Sequence, residues 1–528
     1  MAVIQVKDLR FAYEGSAQEV FSGLSFNMDS AWRLGLVGRN GRGKTTLLRL
    51  LAGELRGAGQ VHSAVPFDLF PFLVPGQRPA GQALLDALAP YTEWEAGMEA
   101  CLKAGTPGAL AQYADLEHRY ALHGGYGARG RLMKEVALLG LDPEALVRPF
   151  DSFSPGEQAR LKLAALFLRE GRFLLIDEPT NHLDLQGRDR MAGYLKGKSG
   201  FLIASHDRDI LNEVCTHTLA LERQGARLVA GNYASYREDK RREDEHERDR
   251  HDSLLAEISR LGRSAREKAA WSDRVEAGKT GQGPVDRGYV GHQSARMMKR
   301  ARSIQGRIQR QIEEKEGLLR NLEYASPLKI QAVPHPSRTL LRFEGVSFRY
   351  GEGAPLFAGL DLALHQGERL ALSGPNGAGK TTLLKLMEGA LSPTSGSVWR
   401  PRGLSVSTLP QTGAHLRGSP RALALERGLD LTLFLTLLRK FDLPREAFDQ
   451  EAGSLSLGQR KKLMLSLSLA QPAHLYLWDE PLNDIDPESR EQVEELLAGA
   501  SASLVFIEHE RTFLRRVATR EIEVGGLR

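Results

Sequence analysis

Apolar positions along the chain follow two patterns. Short unbroken runs bounded by polar residues, FLLI at 173–176 and LYLW at 475–478, predict buried central strands. Longer stretches with helical spacing lie between such runs, for example TTLLRLL from Thr45 and TTLLKLM from Thr381. Strands separated by helices predict a largely parallel α/β sheet. The first residues, MAVIQVKDLRF, alternate like a strand and lack a signal-peptide core. From Tyr236 to about Tyr324 the pattern becomes helical and highly charged. Leu254, Ile258, Leu261 and Ala265 share one helical face, and Ile304, Ile308, Ile312, Leu319 and Leu322 another. The Gly-rich stretch between them, SDRVEAGKTGQGPVDRGYVG, breaks any helix. Two long antiparallel helices joined by a tip loop are the simplest reading.

The chain also repeats itself. RLGLVGRNGRGKTTLLRLLAG (Arg33 to Gly53) returns as RLALSGPNGAGKTTLLKLMEG (Arg369 to Gly389). FSPGEQARLKLA (Phe153 to Ala164) returns as LSLGQRKKLMLS (Leu455 to Ser466). FLLIDEPTNHLDL and IASHDRDIL return as LYLWDEPLNDIDP and FIEHERTFL, in the same order. A repeat this long reads as domain duplication, not a solenoid. The expected organisation is a first domain at 1–236, a helical linker at 237–335 with its basic tip at about 272–303, and a second domain at 336–528. The stretch from Leu84 to Leu141 reads as helices of the first domain, with no long extra arm.

Composition narrows the function classes. A chain of 528 residues exceeds one core, and an apolar fraction of 41% can bury large ones. No apolar run approaches the ~18 residues of a membrane span. Cys101 and Cys215 are too few for a disulfide framework or a tetrahedral zinc site, which predicts buried thiols in a cytoplasmic protein. Residues 260–310 hold thirteen Lys/Arg against four Asp/Glu, a local +9, so with +5 overall the rest of the chain is at −4. One segment carries the basic excess.

Each copy carries the same chemistry. GRNGRGKT supplies Gly38, Asn40, Gly41, Gly43, Lys44, Thr45 and, one step on, Thr46; GPNGAGKT supplies Gly374, Asn376, Gly377, Gly379, Lys380, Thr381 and Thr382. A strand before and a helix after each loop mark a phosphate-binding motif. Its glycines let N–H groups close on phosphates, and its lysine reaches the β/γ-phosphates of ATP. Thr45 and Thr381 would take Mg²⁺. The strand FLLI ends in Asp177 and Glu178, and LYLW in Asp479 and Glu480. The first acid of each pair is a candidate metal ligand and the second a candidate general base.

These blocks, with DEP followed by TNHLD or LNDID, resemble the ATP-binding cassette (ABC) nucleotide-binding domain. The resemblance covers nearly the whole chain. It implies two cassettes packed head to tail, each ATP lying between the phosphate loop of one and the signature of the other. Lys44 would then face Ser456, Gly458 and Gln459, and Lys380 would face Ser154, Gly156 and Glu157. His206 and His509 would be switch histidines and Asp184 and Asp486 the D-loop acids. Tyr13 and Tyr350 would stack on adenine. There are departures. Gln411 is the Q-loop glutamine of the second copy and a candidate Mg²⁺ ligand, whereas DLFPF offers Phe72 in the first. Pro155 and Leu457 replace a signature glycine, and Glu157 would bring negative charge near one ATP, so unequal sites are expected.

GNYASYRED leading into the charged segment resembles ABC-F proteins, whose linker enters the ribosome and reaches the P-site tRNA and peptidyl-transferase centre. DRGYVGHQSARMMKRARS and WDEPLNDID with FIEHERTF resemble the antibiotic-resistance members of that group. The charge argues for RNA by itself. Lys279, Arg287, Arg296, Lys299, Arg300 and Arg302 would hold phosphates, and Trp271, Tyr289 and His292 could stack on bases. A solvated coiled-coil spacer is the plainer reading, but the basic excess concentrates near the tip. The expected partner is a bacterial-type ribosome, contacted by a monomer with its own cassettes paired. The rivals are a housekeeping ABC-F factor, the energising subunit of a membrane transporter, and a DNA-repair or chromosome-organising ATPase. The last would bring very long coils or zinc cysteines.

Overall fold

The structure is a computed structural model describing residues 2–15, 19–181, 183–222, 225–246, 249, 253, 256, 259–260, 263, 328–414 and 416–525. The chain divides into two compact units, residues 1–234 with 326–528, and residues 235–325. Of the second unit, the described residues 235–246, 249, 253, 256, 259, 260 and 263 are all helical. The tip, including Lys279, Arg287, Tyr289, His292, Arg296, Lys299, Arg300 and Arg302, lies outside the described residues, as do Trp271 and the two apolar faces read for the hairpin.

The first unit holds two copies of one α/β fold. In the first, β3 (Arg33–Val37), β5 (Phe67–Phe70), β6 (Phe173–Asp177), β7 (Phe201–Ala204), β8 (His217–Glu222) and β9 (Gly225–Ala230) form a sheet of order β5-β6-β7-β3-β8-β9. It is parallel except for β9. The second copy repeats this as β14 (Val406–Leu409), β15 (Leu475–Asp479), β16 (Leu504–Ile507), β12 (Arg369–Ser373) and β17 (Arg520–Glu523), all parallel. A parallel sheet is covered on both faces, which is why FLLI and LYLW are unbroken and buried. A three-stranded antiparallel sheet accompanies each core: β1 (Val3–Phe11), β2 (Phe21–Asp29) and β4 (Ala58–His62), then β10 (Thr339–Phe348), β11 (Phe357–His365) and β13 (Ser395–Trp399).

Helices α1 (Lys44–Leu51) and α9 (Lys380–Glu388) follow the phosphate loops. The signatures open α6 (Pro155–Leu166) and α12 (Leu457–Ala470), and the acid pairs are followed by α7 (Leu185–Lys196) and α13 (Pro487–Gly499). Helices α8 (Arg208–Val214) and α14 (Arg511–Val517) follow the histidines.

The copies differ in one helical region. Between α2 (Ala80–Asp86) and α5 (Gly125–Leu138), the first carries α3 (Tyr91–Ala104) and α4 (Pro107–Leu122), closed on a cluster of Tyr91, Trp94, Tyr120 and Ala128. The second passes from α10 (Pro420–Glu426) to α11 (Leu431–Lys440) through residues 427–430 alone. The helices expected in this stretch are present, and α3–α4 is a pair that the second copy lacks. Cys101 and Cys215 are free buried thiols.

Where the chain returns from residues 235–325, it is fastened to the second copy. Leu328 is buried in that copy's core. Gln331 N–H donates to Leu469 O at 3.1 Å, at the C-terminal end of α12, and Val333 N–H donates to Ala473 O at 2.9 Å.

Candidate active site

The sharp strand-to-helix turn at each phosphate loop requires glycine. Gly43 has φ +87°, and a Cβ there would lie 2.6 Å from Val20 Cγ1. The turn carries Asn40, Gly41, Thr45 and Thr46 around Lys44, whose Nζ donates to Gly38 O at 2.7 Å. Lys380 Nζ donates to Gly374 O at 2.7 Å and Pro375 O at 2.9 Å, among Asn376, Gly377, Gly379, Thr381 and Thr382. Burial lowers both ammonium pKa values, against the pull of neighbouring carboxylates, with Glu178 foremost for Lys44 and Glu480 for Lys380.

An aromatic ring stands beside each loop. Tyr13 OH bonds Thr46 Oγ1 at 2.9 Å, and Tyr350 OH bonds Thr382 Oγ1 at 3.1 Å. The rings are 46% and 55% exposed, which leaves a face for a base. Stacking is worth ~1–3 kcal/mol per base, so Tyr350→Ala should weaken ATP binding by about tenfold. Titration with a fluorescent ATP analogue checks this; unchanged affinity would leave the ring a packing aromatic and no more.

Asp177 and Asp479 end their strands, and the next residue bends the backbone. Glu178 and Glu480 have φ +45° and +47°, a left-handed conformation that costs a residue with a side chain ~1–3 kcal/mol. The bend sends the two acids of a pair in different directions. Thr381 Oγ1 donates to Asp479 Oδ2 at 2.8 Å, and Thr45 bonds Asp177 in the same way. Burial raises both aspartate pKa values, opposed first by these hydroxyls. A hydroxyl beside a carboxylate is a hard oxygen donor set of the kind Mg²⁺ takes, so the residues of both copies fit that ion.

The glutamates are held differently. Glu480 Oε2 accepts from Gln411 Nε2 at 2.8 Å and also from Asn483 Nδ2, with His509 Nε2 3.9 Å from Oε1. Glu178 Oε2 accepts from His206 N–H at 3.3 Å, and Oε1 lies 3.4 Å from His206 Nε2. Burial pushes the Glu178 carboxyl up to about 8, against the pull of Lys44. Burial also drives His509 down to about 3 and His206 well below its ordinary value, so both imidazoles are neutral at pH 7. Strand register puts Phe72 where Gln411 stands: Phe70 pairs with Ile176 as Leu409 pairs with Trp478, and each is followed by proline and then the residue in question.

The cassettes meet head to tail. A cavity of about 450 Å³ is lined by Tyr350, Asn376, Gly377, Gly379, Lys380, Thr381, Thr382, Gln411, Glu480 and His509 from the second copy. Ser154, Pro155 and Gly156 from the first copy close it. Asp184 Oδ2 accepts from Asn376 N–H at 3.4 Å across the interface while Oδ1 caps α7. On the other side Asn40 Nδ2 donates to Asp484 O at 2.7 Å, and a Cβ on Gly458 would lie 2.3 Å from that nitrogen. That Cβ would also lie 2.6 Å from the backbone oxygen of Asp484, too close for any residue but glycine.

Two of the expected residues are also held by contacts within their own copy. Glu157 Oε2 accepts from Ser154 N–H at 2.9 Å and Ser154 Oγ–H at 2.8 Å in a capping box, which lowers its pKa despite burial. Its charge is therefore occupied at the helix start. Gln459 makes the equivalent box with Ser456. Asp486 is fully buried, caps α13, and lies 2.5 Å from Lys462 Nζ, which outweighs burial and holds its carboxyl well below the usual range. Its charge also acts on Lys44 and His206 of the first copy, and that of Arg39 on it, so Asp486 faces the interface as Asp184 does.

Motif reading missed an ionic lattice on the same interface. Arg208 of the first copy donates to Glu510 Oε1 at 2.5 Å and to Glu494, both fully buried in the second. Arg490 donates to Glu510 Oε2 at 2.7 Å, and Arg511 of the second copy donates to Asp189 at 2.6 Å in the first. The signal was present in the repeat, since Arg208 and Arg511 occupy matching positions two residues after the histidines.

Comparison with known proteins completes the picture. A family profile described as "ABC transporter" matches residues 21–71, 111–181 and 357–483. The tylosin resistance ATP-binding protein TlrC of Streptomyces fradiae is 30% identical, over 96% of this chain and 94% of its own length. ABC transporter F family member 5 of Arabidopsis thaliana is 27% identical, over 99% of this chain and 75% of its own length. Among solved structures, archaeal ribosome recycling factor aABCE1, in complex with stalk protein aP1, aligns with a TM-score of 0.58 at 19% identity. The alignment covers 98% of this chain and 88% of that one, which shows the shared fold. Among the described residues no helix is long and apolar enough to cross a membrane. The chain binds and hydrolyses ATP through tandem cassettes and belongs to the ABC-F family.

Proposed function

We propose that this protein acts on the bacterial ribosome in the cytoplasm, where ATP-driven cassette closure sets residues 237–335 near the P-site tRNA and peptidyl-transferase centre and so protects translation from antibiotics. The observation that carries this is the segregation of charge: +9 within residues 260–310 against −4 elsewhere. Thirty per cent identity to a tylosin resistance protein over nearly the whole of both chains supports the choice of resistance.

ATP lies between each phosphate loop and the opposite signature, so its binding draws Ser154 and Gly156 toward Lys380, and Ser456 and Gly458 toward Lys44. Thr45 with Asp177, and Thr381 with Asp479 and Gln411, would hold Mg²⁺, which would supply positive charge against the phosphates. Glu178 and Glu480 orient the attacking water and take its proton, while His206 and His509, as neutral imidazoles, face the γ-phosphate. Arg296, Lys299, Arg300 and Arg302 bind RNA phosphates. Hydrolysis opens the cassettes and releases the factor. ATP acts here through its differential affinity for open and closed states.

A sensitive host expressing the chain should grow at higher concentrations of drugs bound near the peptidyl-transferase centre, and deletion of residues 272–303 should abolish this. Unchanged susceptibility with intact ribosome binding would favour a housekeeping factor, and co-purification with membranes a transporter subunit. Neutralising Arg296, Lys299, Arg300 and Arg302 together should flatten the slope of log K against log salt for ribosome binding by about 3, near 0.7–0.9 for each phosphate no longer neutralised. Filter binding at several salt concentrations measures it, and an unchanged slope removes these four residues from the interface.

A further inference from the structure

The two copies differ at a second position that faces the catalytic acids. Lys461, on the first turns of α12, is 3% exposed, and its Nζ donates to Gln411 O at 3.2 Å and Asp479 O at 3.2 Å. It thereby ties the loop after β14 to the end of β15. In the first copy the equivalent position, five residues after the capping serine, is Ala159, which has no donor to offer. The same copy has Phe72 in place of Gln411. Donor and recipient loop have thus changed together.

The consequence is visible at the glutamates. With its loop tied down, Gln411 reaches Glu480 Oε2 at 2.8 Å, and Asn483 donates to the same oxygen from the other side. Among the described residues Glu178 Oε1 is buried with no hydrogen-bond donor, and its Oε2 has the longer bond to His206 N–H. A buried tie to backbone carbonyls costs a lysine its hydration, so a purely structural role would be better served by an apolar side chain.

We propose that Lys461 is a positioning residue for one ATP site only: it fastens the Gln411 loop so that Gln411 and Asn483 align Glu480, and the site built on Lys380 therefore turns over faster than the site built on Lys44. In the reaction, water attacks the γ-phosphorus and Glu480 takes its proton. The bond from phosphorus to the β,γ-bridging oxygen breaks with its electron pair going to ADP, leaving phosphate. Alignment of Glu480 matters because a displacement near 1 Å can cost about 10²-fold in rate.

The test uses the full chain and steady-state phosphate release. Lys461→Met keeps the stem and loses the donors; it should lower kcat by about tenfold with KM for ATP within about twofold, and Lys461→Arg should restore most of kcat. Glu480→Gln should remove most of the wild-type turnover, and adding Phe72→Gln and Ala159→Lys to it should raise what remains several-fold. The proposal is overturned by a wild-type kcat in Lys461→Met. It is equally overturned if kcat falls only with a raised KM and a lowered urea midpoint that Arg does not rescue, which would make Lys461 a packing residue. Glu480→Gln retaining half of the turnover, or a first site unmoved by its two new residues, overturns the assignment of the faster site. None of these outcomes depends on the ribosome.

Discussion

With Glu178→Gln and Glu480→Gln combined, ATP hydrolysis falls by about 10²–10⁴-fold, the contribution expected of a general base, while ATP binding persists. Gln keeps the size of the acid and one acceptor oxygen but cannot take the proton from water. The cassettes then stay closed on two ATP molecules, and the variant co-sediments with ribosomes in ATP but not in ADP. Two measurements separate the claims. A loss of turnover below tenfold would remove both glutamates from the role of base. A full loss without co-sedimentation would leave the ATPase chemistry standing and sink the ribosome reading.

The second large effect lies away from the phosphates. Arg208→Met leaves Glu494 and Glu510 buried with one fewer partner each, and breaking such a pair costs about 3–5 kcal/mol. The effect falls toward the low end because Arg490 still reaches Glu510 and Arg516 still reaches Glu494 at 3.2 Å. A lowered urea midpoint measures it. Removing both charges, Arg208→Met with Glu494→Gln, should cost less than the two single changes summed, and additivity would show that the two side chains act independently. Burial opposes ionisation of Glu510, but Arg490 and Arg208 outweigh it and hold its carboxyl below the ordinary 4.5. Its contribution is therefore fully present above pH 4.5 and is lost as pH falls through the lower folded value. Low pH should loosen the cassette interface, and Arg208→Met should show less of this loss.

Much of the fold was readable because burial and period agree in it. FLLI and LYLW are unbroken because both faces of a parallel sheet are covered, and the phosphate-loop glycines answer to a backbone turn that admits little else. The site was harder. Glu178 and Gly458 carry out their geometry through backbone features, a left-handed bend and a missing Cβ, that a motif only hints at. The pairing of Arg208 with Glu494 and Glu510 joins residues 286 and 302 positions apart, and no periodicity reports a contact between copies. At Glu157 the motif did not report the capping box, in which an acid at the third position of a helix bonds the capping serine. Asp184 and Asp486 look alike in sequence, and nothing in it reports that Lys462 lies beside the second.

The bond from Gln331 to Leu469 has a mechanical meaning. Helix α12 has 14 residues, a rod of about 21 Å at 1.5 Å per residue. Ser456 sits at one end and the returning chain is tied to the other. A tilt of about 5° around its middle would carry both ends some ~1 Å in opposite directions by that length. The signature's approach to a nucleotide and the displacement of residues 331–333 are thus two ends of one seesaw.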